Sequence, residues 1–182
     1  MIFSPVSVTR HMTAPPSAVF DILVDPAKHL QIDGSGMLQA TISAPTPLRL
    51  HSRFSVDMRQ AHLPYRVENI VTEYQQDQVI AWRPWVHVCG RRVAGGVTWR
   101  YQLTPLADGT QVTETYDVTT AWGARLLAAL GYPAKMRVAM IRTLDNLARQ
   151  TAKKCVRPAP PASASGIARN RSKGFKSGRG HD

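Results

Sequence analysis

Glu114 stands where an apolar side chain is due. Residues 112–118 read Val-Thr-Glu-Thr-Tyr-Asp-Val, so Val112, Glu114, Tyr116 and Val118 share one parity and Thr113, Thr115 and Asp117 take the other. Period-two alternation marks a strand with one buried face. A carboxyl group on that face points to a cavity rather than to solid packing. Full desolvation raises a carboxyl pKa by up to about 3–5 units, which suits such a group to acid–base work on a carbonyl compound. The competing reading is an ion pair with Arg100 across the hairpin, with little chemical role.

Other residues extend this chemistry. Tyr101 and Tyr116 carry phenols on the same parity. His29 precedes Asp33 and Ser35, and a histidine within reach of an aspartate can move protons. The competing reading there is turn chemistry, because Asp33-Gly34 and Ser35-Gly36 are ordinary turn pairs. Glu114, Tyr101, Tyr116 and His29 are therefore the candidate acid–base residues. The candidate ligand wall is Trp82, Trp99, Tyr101, Glu114 and Tyr116, with Phe54, Val56, Met136 and Met140. Rings with polar tips and adaptable methionines suit a flat, mostly apolar ligand, although any sheet-on-helix core also needs such residues. His87 and Cys89 fall short of the three or four ligands a metal site requires. No metal and no cofactor is expected. Arg91-Arg92 reads as a basic loop near the pocket entrance that could meet a carboxylate or phosphate, against the competing reading of a solvated loop.

The elements that position these residues are legible from period and punctuation. Val97, Trp99, Tyr101 and Leu103 alternate with polar neighbours, and Asp108-Gly109 supplies the turn into the strand that carries Glu114. Earlier strands are expected at 3–12, 37–43, 53–59, 65–74 and 78–83, with 85–95 as a connection. Pro15-Pro16-Ser17 opens a helix, since proline is tolerated in a first turn. Asp25-Pro26 ends it and begins a second short helix. After Thr120 the period becomes helical, with Leu126, Leu130, Met136, Met140, Thr143 and Leu147 as a stripe, interrupted at Gly131-Tyr132-Pro133. Strands in a run, flanked by helices, argue an α+β domain.

Charge divides the chain. Of a net +11 over 182 residues, residues 153–182 carry eight Lys/Arg against Asp182, a net +7, leaving +4 for residues 1–152. The tail is rich in Pro, Ala, Ser and Gly and is expected to be disordered. Nucleic acid or an anionic membrane surface could meet the protein through that tail alone, by charge. Two distant cysteines fit a reducing cytoplasm rather than a disulfide framework. No signal peptide is expected from Met1–Arg10, and no apolar run reaches the roughly 18 residues needed to span a bilayer.

Several segments together resemble a known family. They are Ala14-Pro-Pro-Ser-Ala-Val-Phe-Asp-Ile-Leu-Val-Asp-Pro26 with His29, Ile32-Asp-Gly-Ser-Gly36, Ile80-Ala-Trp-Arg-Pro84, Trp99-Arg-Tyr-Gln-Leu103, and Gly109-Thr110 leading to Val112-Thr-Glu-Thr-Tyr-Asp117. Over roughly residues 5–150 the chain resembles the polyketide cyclase/dehydrase-like proteins of the START-like (SRPBCC) superfamily. The resemblance implies a helix-grip fold, in which a curled antiparallel sheet of about six or seven strands wraps a long C-terminal helix. It implies binding of a small hydrophobic molecule (a lipid, isoprenoid or polyketide) between sheet and helix. The alternatives are a cyclase or dehydrase using cavity acids and bases, and an interaction protein acting through its basic tail. The family has no invariant catalytic triad, so no catalytic residue is carried over from it. The domain is expected to occupy residues 1–152. Oligomeric state is left open.

Overall fold

A computed structural model describes residues 4–88, 91–119 and 121–156. Cys89 and the basic tail from Arg157 lie outside the described residues. The elements run β1 (Val6–Met12), α1 (Pro16–Leu23), α2 (Pro26–Ile32), β2 (Leu38–Ser43), β3 (Arg53–Gln60), β4 (Leu63–Gln75), β5 (Val79–Val88), β6 (Arg91–Gly95), β7 (Thr98–Leu106), β8 (Gly109–Asp117), α3 (Ala124–Ala129) and α4 (Tyr132–Val156). The strands form one antiparallel sheet in the order β1-β8-β7-β5-β4-β3-β2, with β6 paired to β5 off that path. This is the expected α+β, helix-grip architecture. The extra strand comes from the segment expected to be a connection: β5 continues to Val88 and turns back as β6. The first half of β5 pairs with β7 at Val79–Trp82, and the second half pairs with β6 at Trp85–Val88.

Local chemistry fixes the ends of the elements. α1 starts at Pro16 and buries Val19, Phe20, Ile22 and Leu23; a proline there forgoes only an N–H that the first turn leaves unpaired. Asp25 caps α2, its carboxylate accepting from the Ala27 amide at 3.1 Å. The β7–β8 turn needs Gly109, whose φ is 149° and where a Cβ would lie 2.0 Å from the Met12 carbonyl oxygen. Gly131, at φ 71°, separates α3 from α4, as the Gly-Tyr-Pro sequence predicts.

Four of the six residues of the helical stripe are buried. Met136, Met140, Thr143 and Leu147 face inward on α4. Leu126 and Leu130 do not, being 64% and 54% exposed, and α3 buries no residue at all. The break at Gly131 ends the continuous helix on which the stripe would have run. α4 itself lies against β1, β8, α1 and α2 and runs on to Val156. Leu144 and Leu147 join Phe20, Leu23, Leu48 and Val71 in the main core; each fully buried side chain of this kind is worth roughly 1.5–3 kcal/mol.

One contact ties the α2–β2 turn to α4 backbone to backbone. A Cβ on Gly34 would meet the Ala139 carbonyl oxygen at 2.2 Å and the Thr143 amide nitrogen at 2.5 Å. The Gly34 amide donates to Thr143 Oγ1 at 3.0 Å. The turn and the middle of α4 are thus latched by close backbone approach and by the Thr143 hydroxyl.

Candidate functional site

The inward parity of β7 and β8 meets α4 partly in contact, where Tyr116 and Val118 pack on Met136 and Met140, and partly across a space. A cavity of about 780 Å³ lies there, within the range of small-molecule sites. β3, β4 and β5 supply Phe54, Val56, Tyr65, Val67, Asn69 and Trp82. β7 and β8 supply Trp99, Tyr101, Glu114 and Tyr116, and α4 closes the space with Tyr132, Met136, Ala139 and Thr143. Trp122, Leu126 and Val93 also border it and are 73%, 64% and 38% exposed, which marks that side as the mouth.

Glu114 occupies the closed end. It is 1% exposed and stands opposite Tyr101 in the strand register. The Tyr101 hydroxyl donates to Glu114 Oε1 at 2.7 Å. Oε2 has no hydrogen-bond partner among the described residues. Burial raises the pKa of Glu114 to about 8; the Tyr101 hydrogen bond lowers it and the charge of Asp33 raises it further. Burial and then the neighbouring Glu114 push Tyr101 well above its ordinary range, and burial takes Tyr116 to about 12. Near neutral pH the closed end of the cavity therefore carries a neutral carboxylic acid and two neutral phenols.

The ion pair of Glu114 with Arg100 does not form. Arg100 is one residue off Tyr101, so it emerges on the other face of the sheet, where it clasps Glu73 at 2.7 and 3.1 Å. The proton relay from His29 to Asp33 is not built either. His29 Nε2 binds the Leu23 carbonyl oxygen at 2.9 Å. Asp33 accepts from Ser35, twice, and from the Leu38 amide. His29 instead stacks on Trp82, with ring centroids 5.4 Å apart, and meets Phe54 edge-on. Burial lowers its pKa, so it is a neutral ring in an aromatic wall.

The structure brings nearly all of the expected ligand wall together: Trp82, Trp99, Tyr101, Glu114, Tyr116, Met136, Phe54 and Val56 all border the cavity, and so does His29. Met140 does not. It is fully buried in a cluster with Val97, Tyr116, Val118 and Met136. On the helix, Ala139 and Thr143 are rotated away from Met140 and take the wall positions instead. Sequence reasoning missed Tyr65 and Asn69, although both have core parity on β4 with Val67 and Val71. The alternation that exposed Glu114 was available for them too. Arg92 is engaged rather than free, lying over the Trp85 ring at 5.0 Å and 3.5 Å from Glu68. No group of three or more metal-ligating side chains occurs among the described residues, and no helix among them is long and apolar enough to cross a membrane.

The model of one protein family, described as polyketide cyclase / dehydrase and lipid transport, matches residues 5–152. The chain belongs to this family. An uncharacterized relative, Rv0088 of Mycobacterium tuberculosis (strain ATCC 25618 / H37Rv), is 31% identical over 153 residues, covering 81% of this chain. The match spans only 64% of that relative's length. Among solved structures, protein CV1439 from Chromobacterium violaceum superposes with a TM-score of 0.63 at 13% identity, covering 81% of this chain and 96% of the other. The AHSA1 protein SPO3351 from Silicibacter pomeroyi gives 0.58 at 18% identity, covering 83% and 99%. At such identities the likeness is one of fold. The family description, with its lipid transport, agrees with a fold that binds hydrophobic ligands.

Proposed function

We propose that the protein binds one small hydrophobic molecule, a lipid, isoprenoid or polyketide-like compound, between its sheet and α4. The observation that carries this reading is the aromatic and aliphatic lining of a cavity of about 780 Å³ with an exposed rim at Trp122, Leu126 and Val93. Transfer of apolar ligand surface into it is favourable by roughly 25 cal/mol per Å² before ordering costs. Native mass spectrometry of protein isolated from its own host should reveal a co-purified apolar ligand. Thermal shift against a lipid and polyketide panel should then raise the melting temperature, since a ligand at 100 times its Kd adds about 2.7 kcal/mol. A protein that carries no such ligand and responds to none of the panel refutes the reading.

The unpartnered Oε2 of Glu114 favours a second reading, in which the cavity also performs chemistry. Glu114 would serve as general acid or base in a cyclisation or dehydration, with Tyr101 orienting it. Glu114→Gln that leaves the turnover of an identified substrate intact would remove this second reading without touching the first.

A further inference from the structure

The cavity wall has a lopsided inventory of polar groups. Among the described residues, neither lysine nor arginine borders it. Its one basic ring, His29, spends Nε2 on the Leu23 carbonyl oxygen and is held neutral by burial. The acids are Asp33 near the α2–β2 turn and Glu114 at the closed end. A ligand carboxylate or phosphate pushed into this space would lose its water and find no cation to replace it, and an unpaired buried charge is among the most unfavourable states in a protein.

The hydrogen bonds at the closed end have a direction. Tyr101 has one hydroxyl proton, and it goes to Glu114 Oε1. Oε1 is thereby the acceptor oxygen of the carboxyl group. The proton of a neutral Glu114 then belongs on Oε2, the oxygen with no partner. A neutral carboxyl is what this environment requires, given a group 1% exposed and no cation on the wall. Oε2 is therefore a donor looking for an acceptor.

Building on the ligand-binding reading, we propose that the cavity selects neutral molecules whose inner end bears an acceptor oxygen, such as a ketone, enone or ester carbonyl, received by the Oε2–H of Glu114 while Tyr101 holds Oε1. Carboxylates and phosphates of the same shape are rejected. Specificity then rests on one donated hydrogen bond and on the absence of any counter-charge, while the rings supply affinity.

Three fluorescent probes of nearly one shape test this: 2-acetylanthracene, 2-ethylanthracene and anthracene-2-carboxylate. At pH 6.5 the ketone should bind the full-length protein roughly 10-fold more tightly than the hydrocarbon, the effect of one buried hydrogen bond. The carboxylate should bind most weakly. Glu114→Leu should bring ketone and hydrocarbon to within about 2-fold of each other. The ketone preference of the wild type should fade as pH passes about 8, because ionisation removes the donor. Glu114→Gln keeps an amide donor and should lose that pH dependence. The charged or titratable groups acting on Glu114 are Tyr101 from β7 and Asp33 from the α2–β2 turn. Elsewhere on the wall stand His29, Tyr65, Tyr116 and Tyr132. The phenols Tyr65, Tyr101 and Tyr116 are all raised by burial, so the transition near 8 is not theirs. A carboxylate that binds as tightly as the ketone overturns the proposal, as does a ketone no better than the hydrocarbon. Failure of all three probes to bind counts against the cavity as a ligand site at all, and this selectivity falls with it.

Discussion

Replacing Glu114 by glutamine should change the pH dependence of stability in a way no surface substitution can. In the folded protein Glu114 ionises at about 8, against an ordinary 4.5. A group whose folded pKa is raised holds its proton more tightly in the native state. Its favourable contribution is complete below about pH 4.5 and is lost as pH rises through about 8. Across that window each pH unit is worth about 1.36 kcal/mol, so the full loss is about 5 kcal/mol as an order of magnitude. Glutamine has no proton to lose and keeps an oxygen for the Tyr101 hydroxyl. Urea unfolding of both proteins at pH 5, 6, 7, 8 and 9 gives the difference directly. The advantage of Glu114→Gln over wild type should grow by about 1 kcal/mol per pH unit between pH 5 and 8, then level off. A difference that stays flat over pH 5–8 would show that the buried carboxyl finds a cation or water. The neutral-acid argument would then be wrong.

Tyr101→Phe removes the hydroxyl that steadies Glu114 Oε1. The pKa of Glu114 should move further up, since that hydrogen bond lowers it, and the carboxyl band in difference infrared titration should report the shift. Stability should fall by about 1–3 kcal/mol, the usual effect of leaving a buried acceptor unpaired. In hydrogen exchange, α3 should lose its protection well before the middle of α4, because α3 buries no side chain while α4 buries Met140, Leu144 and Leu147. Equal protection in the two helices would contradict the packing.

Parity made the site legible in part. A strand side chain can face only two ways, so Glu114, Tyr101, Tyr116 and Trp99 could be assigned to one face from their spacing alone. Asn69 and Tyr65 obey the same rule on β4 and went unread because no titratable acid drew attention to them. Helical positions are harder to assign. Met140 and Ala139 differ by one residue and about 100° of rotation, and only the packed orientation of α4 decides which of them meets the cavity. β6 was hidden by composition: Gly90, Gly95, Gly96 and the arginine pair read as a loop, and its pairing partner is the far end of β5. The mouth was legible only where Arg91-Arg92 read as a loop near the pocket entrance, next to Val93. Leu126 belongs to the helical stripe in one dimension and lies at the rim in the fold, on the far side of the break at Gly131 from α4.

The latch at Gly34 sets how such a cavity can change. Residue 34 has no room for any side chain, because the α4 backbone is already at van der Waals distance. The separation of the α2–β2 turn from α4 is therefore set by close backbone approach, with the Thr143 hydroxyl accepting from the Gly34 amide. Variation that enlarges, shortens or reshapes the ligand space has to fall on side chains that project into it, such as Val56, Trp99 or Met136, or at the rim. A lineage could retune what it binds through those positions while the frame stays rigid. An engineer seeking a new ligand should likewise leave the turn untouched and vary the walls.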